Sequence, residues 1–574
     1  MSARIVIAVC LAIILGVPFA MTAGARKGHQ AAAGTPRLII VTPHVPQIRD
    51  EFGRAFAAWH EAEFGQPVEV DWRAPGGTSE IRKQLSAMFE SAVKNLTKRG
   101  EIPADAPDDF ALPAGSLEYD LFFGGGSYDH SGAARPMSIA ATDPEGNKFT
   151  AQIRQTSPAD FEQSELDALF GPNSIGPQQL YDPDQRWIGT ALSSFGIVYN
   201  RDVLERLNVP TPTAFRDLGN PVLIGWVALA DPRQSGSVTT TFDSILGNEG
   251  WDAGWRVLRN MSGATRYFTN SSTKPPIDVS QGEAAAALAI DFYGRGQAQV
   301  IAESGGGDRV GYTDPAGSVY VDADPISLVN GAPNPELAKR FIRFMLTDQA
   351  QALWQFPAGD ASNPTGPDGQ PMGPAEHELR RLPVRRAMYE RYFDTFMDPV
   401  NPFEIVSDVE NPGWRTGVQM MMGAFGVDLA DECRAAYVAL TDARASGEFT
   451  PAEIRSLEDR FYAFPETRIE SLTAMDGYED LPQEVKELAA EKGWQWASDI
   501  PGGLVGSPIT PSADAMGHLQ SFARRTTLLP FTEANYRTVR NEWKQPGREA
   551  RLKIQYTRFF RQQYRAIVRE VQSR

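Results

Sequence analysis

The stretch Leu38–Trp72, LIIVTPHVPQIRDEFGRAFAAWHEAEFGQPVEVDW, decides the fold class. Leu38–Thr42 is a short continuous apolar run, which suits a strand buried on both faces. Glu51–Phe64 follows, with Phe52, Phe56, Trp59 and Phe64 at near-helical spacing. Gly65 ends that pattern, and Val68, Val70 and Trp72 then alternate as a strand does. Strand, helix and strand in this order make a βαβ unit, so an α/β domain with a parallel sheet is predicted. Gly76-Gly77-Thr78-Ser79 opens a second helix, with Ile81, Leu85, Met88, Ala92 and Leu96 on one face.

Working outward, residues 26–36 read as a flexible leader and Glu101–Gly115 as a loop rich in Pro, Ala and Asp. Tyr119–Phe123 is the next strand and ends in Gly124-Gly125-Gly126. Residues 131–186 read as an insertion, Trp187–Asn200 as strand and crossover, and Arg201–Asn208 as a helix. A second α/β series starts near Pro221. Val227–Ala230 is a strand; Val238–Leu246, Gly250–Met261 and Ser280–Tyr293 are helices; Val319–Asp322 is a strand. Asn334 is expected to cap the following helix, with Pro335 at its first position and Leu337, Phe341, Phe344 and Met345 inward. The layout predicts an α/β, two-lobed clamshell with a hinge, its ligand lying where loops at the strands' C-terminal ends face the cleft. Residues 37–200 form mainly the first lobe and 201–387 mainly the second, with chain crossovers between them. Residues 388–574 form a mainly helical C-terminal extension that includes Pro451–Phe464, Pro482–Lys492 and a long amphipathic helix, Arg548–Ser573.

Residues 1–25 read as a secretory signal. Arg4 is the basic region, Ile5–Phe19 the apolar stretch and Ala23-Gly24-Ala25 the small-residue cleavage pattern. The competing reading is an uncleaved anchor over Ile5–Ala25. Cys10 lacks a preceding lipobox and leaves with the signal, so Cys433 alone remains and the fold must rest on core burial. The expected location is the periplasm. A formal charge of −17 argues against general nucleic-acid binding, which needs a basic footprint.

Two segments offer backbone amides and hydroxyls at helix N-termini, the arrangement that holds anions. They are Gly77-Thr78-Ser79 and Ser235-Gly236-Ser237; ordinary helix capping is the alternative for each. Gly125-Gly126-Ser127 lets a ligand approach the backbone closely, or forms only a tight turn. Ser193 and Ser194 place hydroxyls at the crossover, and Thr42 and His44 follow the first strand. The glycine loop lacks the Gly-Lys-Ser/Thr of a P-loop, and neither His-Glu-x-x-His nor Gly-x-Ser-x-Gly occurs. No catalytic residue and no cofactor are expected. Arg548–Arg574 carries eight basic and two acidic residues beside an apolar stripe of Leu552, Tyr556, Phe559, Phe560, Tyr564, Ile567 and Val571. That stripe suits docking on the acidic body, docking on an anionic membrane surface, or a packed helix with a solvated basic face.

Six segments in order carry a family resemblance: LIIVTPH (38–44), DLFFGGGSY (120–128), WIGTALSSFGIVYN (187–200), DPRQSGS (231–237), SQGEAAAALAIDFYG (280–294) and DPISLVNGAPNPELAKRFIRFMLT (324–347). Over roughly residues 37–386 the chain resembles the solute-binding proteins of bacterial ABC importers, in the branch with ferric-iron, polyamine, phosphonate and sugar-phosphate receptors. The resemblance implies capture of a small polar ligand, anionic, phosphate-bearing or a metal complex, and its delivery to an inner-membrane permease. The alternatives are a secreted hydrolase working with paired carboxylates and a receptor reporting to a membrane sensor. Ferric receptors of this branch use a His after the first strand, a Tyr pair and a Glu. Here His44 and Tyr293 remain, Phe292 stands in the pair, and glycine stands near the Glu position. Two donors do not close an octahedral site, so iron binding is not expected.

Overall fold

In a computed structural model, residues 34–315, 317–471, 495–497, 503–505, 525–545 and 547–574 are described. Residues 1–25 and Pro482–Lys492, read above as signal and helix, lie outside them. The chain divides into two compact units: residues up to Ser193 with Val321–Glu404, and Ser194–Tyr320 with Ile405–Arg574. Residues 321–387, expected mainly in the second lobe, therefore pack with the first unit. The expected extension supplies about half of the second unit.

In the first unit the βαβ reading holds. The sheet runs Glu69–Arg73, Arg37–Val41, Leu121–Phe123, Val321–Val329. The first three are parallel, with Ile39 opposite Asp71 and Ile40 opposite Leu121; the last is antiparallel, with Ile326 opposite Phe123. The linking helix begins earlier than its apolar pattern, at Pro46, where proline's missing N–H costs nothing. It ends at Gly65 in the left-handed conformation, at φ 66°. The second helix, Thr78–Lys98, buries Ile81, Leu85, Phe89, Val93 and Leu96. Phe89 and Val93 thus replace the expected Met88 and Ala92, a rotation of one residue. Residues 131–186 contain an antiparallel hairpin, Pro136–Thr142 with Lys148–Arg154, whose Ile139, Ala151 and Ile153 cover that helix. Asn334 does not cap the Pro335–Met345 helix with its side chain; its Nδ2 donates instead to the carbonyl of Arg37, 3.0 Å away.

In the second unit, the Ala-rich segment predicted as a helix is the strand Ala286–Ile290. It lies parallel to Val227–Ala230 and antiparallel to Phe195–Tyr199. Sheet neighbours on both sides satisfy its backbone, and small side chains let layers approach on both faces, so context overrides alanine's helical preference. The helix starts only at Asp291.

The C-terminal helix Arg548–Gln572 buries Leu552, Tyr556, Phe560, Tyr564 and Ile567 in the second unit's core. The packed reading is the one observed. Several of its basic residues meet local carboxylates, as in Arg561 with Glu432 (3.2 Å) and Arg548 with Glu542 (3.2 Å). Among the described residues no helix is long and apolar enough to cross a membrane.

Candidate functional site

In the first unit, six chain segments meet at the C-terminal ends of Arg37–Val41 and Leu121–Phe123. Thr42 Oγ1 accepts the N–H of His44 at 3.1 Å and so shapes the turn after the first strand. His44 is buried, with its Nε2 2.9 Å from Asp324 Oδ2. The same carboxylate accepts the N–H of Gly125 at 2.8 Å and pairs with Arg381. Arg381 also donates to Ser193 Oγ at 3.0 Å. The glycine loop is packed from both sides: a Cβ on Gly124 would lie 2.6 Å from the His44 ring, and one on Gly125 would lie 2.3 Å from Thr78 Cγ2. Both glycines have positive φ, 96° and 104°, so each is required twice over, by conformation and by space.

The electrostatics set protonation states. Burial raises the Asp324 carboxyl, but Arg381 and His44 outweigh it and hold it below the usual carboxylate range. Burial holds His44 below its ordinary range, against the pull of Asp324. A neutral His44 beside an ionised Asp324 donates its Nε2–H and leaves Nδ1 as a bare acceptor. That Nδ1 is buried without a hydrogen-bond partner. His130 stacks on Phe122 at 4.0 Å and bridges Gly124 O and Ser327 Oγ; burial pushes it down to about 4.

Not every predicted donor faces a ligand. The N–H of Gly125 is taken by Asp324, and that of Ser127 by Asp322 Oδ2 at 3.1 Å. The protein's own carboxylates thus occupy the anion positions of the Gly125-Gly126-Ser127 turn. The Gly77-Thr78-Ser79 end differs in part. It opens a 21-residue helix on which Thr78 and Ser79 are part-exposed, while the Glu80 carboxylate turns back to accept the Gly77 N–H at 3.3 Å. Sequence reading missed Asp322, Asp324, His130 and Arg381. The signal available was the alternation of Asp322 and Asp324 in an otherwise apolar strand, where a buried carboxylate demands partners.

In the second unit, Ser235 is the N-cap of Gly236–Glu249, its Oγ accepting the N–H of Val238 at 3.3 Å. Ordinary capping is therefore realised there. The carbonyls of Gly236 and Ser237 accept from Arg415 and Thr241. Ser194 Oγ reaches Asp314, which also holds Arg295 at 2.6 Å. Tyr293, expected at the end of an Ala-rich helix, instead sits in the first turn of Asp291–Ile301, its ring 4.0 Å from that of Phe292. Tyr293 and His44 belong to different units. Among the described residues no group of three or more His, Cys, Asp and Glu is placed to hold a metal.

Asp243, on the helix that Ser235 caps, has one oxygen accepting the Trp414 N–H at 2.8 Å and the other buried without a partner. Burial pushes its carboxyl up to about 6. The folded chain then binds a proton up to about pH 6, the unfolded chain only to 3.8. Its contribution to stability is full below 3.8 and is lost as pH rises through 6, by up to about 3 kcal/mol. Asp243→Asn should remove that slope and raise the melting temperature at pH 8. Parallel calorimetric profiles of parent and variant between pH 4 and 8 would refute this.

Residues 158–372, somewhat over a third of the chain, match the family of bacterial extracellular solute-binding proteins. A phosphoglycerate transport regulatory protein of Salmonella typhimurium is 24% identical over 217 residues, 36% of this chain and 53% of that protein. An uncharacterized protein of Haemophilus influenzae is 23% identical over 200 residues, 34% and 55% of the two chains. The chain thus spans about half the length of the curated relatives it matches. Among solved structures, the periplasmic binding protein AfuA from Actinobacillus pleuropneumoniae, with exogenous fructose-6-phosphate bound, aligns at TM-score 0.39 and 16% identity. That alignment covers 55% of this chain and 81% of AfuA. Iron-bound HitA from Pseudomonas aeruginosa aligns at TM-score 0.41 and 14% identity, over 67% and 98%.

Proposed function

We propose that this protein is a periplasmic solute-binding protein of an ABC importer, capturing a small phosphate-bearing or similarly anionic ligand for a membrane permease. The observation that carries the ligand class is the Gly77-Thr78-Ser79 helix end. A long helix presents its N-terminal dipole and two hydroxyls there, with Glu80 answering the Gly77 N–H, beside a glycine turn whose Gly125 and Ser127 amides are already filled. The likeness to a protein named for phosphoglycerate transport supports the same class. Asp324 and Arg381 act as a rigid support behind the turn rather than as ligands. Asp324, held ionised, has no proton to give as a general acid, which weighs against the hydrolase reading.

The test is calorimetry with 3-phosphoglycerate and inorganic phosphate. Thr78→Val with Ser79→Ala removes two hydroxyl donors at nearly constant volume. At about 1.5–3 kcal/mol for each hydrogen bond to a charged group, affinity should fall more than tenfold. A folded double variant that binds with parental affinity rules the site out. The word "regulatory" in the relative's name favours one second reading, a receptor that reports its ligand to a membrane sensor. Uptake of labelled ligand that survives deletion of the chain's gene, while the transcriptional response to ligand is lost, would select that reading.

A further inference from the structure

We infer a separate oxyanion site in the second unit, at the opposite end of its sheet from Ser194. The strand Ile188–Asn200 carries Ser194 near one end of this unit's sheet and Asn200 at the other. Six residues of strand separate them, about 20 Å. Around Asn200 lies a polar cavity of about 510 Å³, lined by Arg206, Ser280, Gln297 and Arg309 and floored by Val203 and Ile301.

Among the described residues neither of its two arginines has a carboxylate partner, in a chain that carries 72 acidic residues. Arg309 is half-buried. Its Nε is buried without a hydrogen-bond partner, and its terminal nitrogen makes one long bond, 3.4 Å, to the Ser280 carbonyl. Arg206 lies over the Trp226 ring at 5.0 Å. The nearby acids are committed to other cations: Asp308 meets Arg201 at 3.4 Å and Glu283 meets Arg266 at 3.0 Å. The Gln297 amide donates to Ser280 Oγ at 3.0 Å, leaving its second N–H for a ligand. Asp202 stands on the rim, exposed, in the first turn of its own helix, where the helix N–H groups offset its charge.

A half-buried guanidinium with an unused N–H, a second guanidinium and an amide facing one cavity suit an oxyanion with several acceptor oxygens, inorganic phosphate or a phosphate monoester. A monocarboxylate would leave one cation unanswered. The stacked Trp226 gives the site a local reporter, because phosphate drawing on Arg206 changes the ring's surroundings.

The experiment titrates inorganic phosphate into the full chain carrying Thr78→Val and Ser79→Ala, which silences the site proposed above. Binding in the millimolar range should persist there. It should weaken tenfold or more in Arg309→Gln and measurably less in Arg309→Lys. The tryptophan signal should vanish in Trp226→Phe while calorimetric binding remains. Arg206 is exposed, so Arg206→Gln leaves the core intact and decides the matter where Arg309→Gln folds poorly; it too should weaken phosphate several-fold. Parental affinity in Arg206→Gln and in folded Arg309 variants would overturn the inference. So would loss of all phosphate binding on Thr78→Val and Ser79→Ala alone.

Discussion

Arg259→Ala is expected to lower the unfolding free energy of the second unit by about 3–5 kcal/mol, at the upper end for one substitution. Arg259 is 1% exposed. Its guanidinium lies over Phe425 at 4.1 Å, Phe560 at 4.7 Å and Phe464 at 5.1 Å. It donates to the carbonyl of Phe461 at 2.6 Å and approaches that of Ala463 at 3.5 Å, at the end of the helix Pro451–Tyr462. The cation therefore caps a helix C-terminus, where the dipole is negative, inside a ring of aromatic faces. Alanine would leave a cavity, an orphaned carbonyl and a hole among five aromatic side chains. Arg259→Met restores most of the volume and leaves chiefly the carbonyls unanswered, so a smaller loss of about 1–3 kcal/mol is expected. Urea unfolding followed by near-ultraviolet circular dichroism measures both. An alanine variant within 1 kcal/mol of the parent would show that this packing contributes nothing.

Arg259 also explains why the role of residues 388–574 was hidden in the sequence. Its partners come from Phe425, Phe461, Phe464 and Phe560, all in the stretch read as an extension without a role. The stripe of the last helix was visible as a period of apolar residues, and its burial follows from that pattern. What it packs against depends on contacts three hundred residues apart, which no local pattern encodes. The opening βαβ unit was legible because periodicity switched within one stretch, from continuous to helical to alternating. The Ala-rich strand was not, since alanine's intrinsic preference points to helix and only the neighbouring strands reverse it. The candidate site divides in the same way. Thr42, His44, Thr78, Gly125, Gly126, Ser127 and Ser193 read from the sequence as turn, cap and strand-end residues, and the first unit gathers them. Asp324 belongs to a motif that carries no role in the sequence reading: the apolar strand around it signals a buried carboxylate, but nothing local names the three partners it meets.

Asp324→Asn should therefore be far more damaging than a one-atom exchange suggests. Asp324 is 1% exposed and ionised, and all its neighbours are donors: the Gly125 N–H, the His44 Nε2–H and Arg381. An asparagine has one acceptor oxygen. If that oxygen meets His44 and Arg381, its amide nitrogen confronts the Gly125 N–H; turned over, it confronts a buried guanidinium. Either way Arg381, 6% exposed, loses its counter-charge, and breaking a buried pair in this manner costs about 3–5 kcal/mol. The loss should be partly relieved in Asp324→Asn with Arg381→Met, since removing both charges avoids the stranded cation. The double-mutant cycle should show a coupling of about 1.5 kcal/mol or more. Acid offers an independent check. The carboxyl's folded pKa lies below its unfolded value of 3.8, so its contribution is present above that pH and is lost only as pH falls further. The parent and Asp324→Asn should then differ fully at pH 7 and converge toward pH 2. A gap that stays constant down to pH 2 would mean that the charge of Asp324 is not what holds the glycine turn against Thr78.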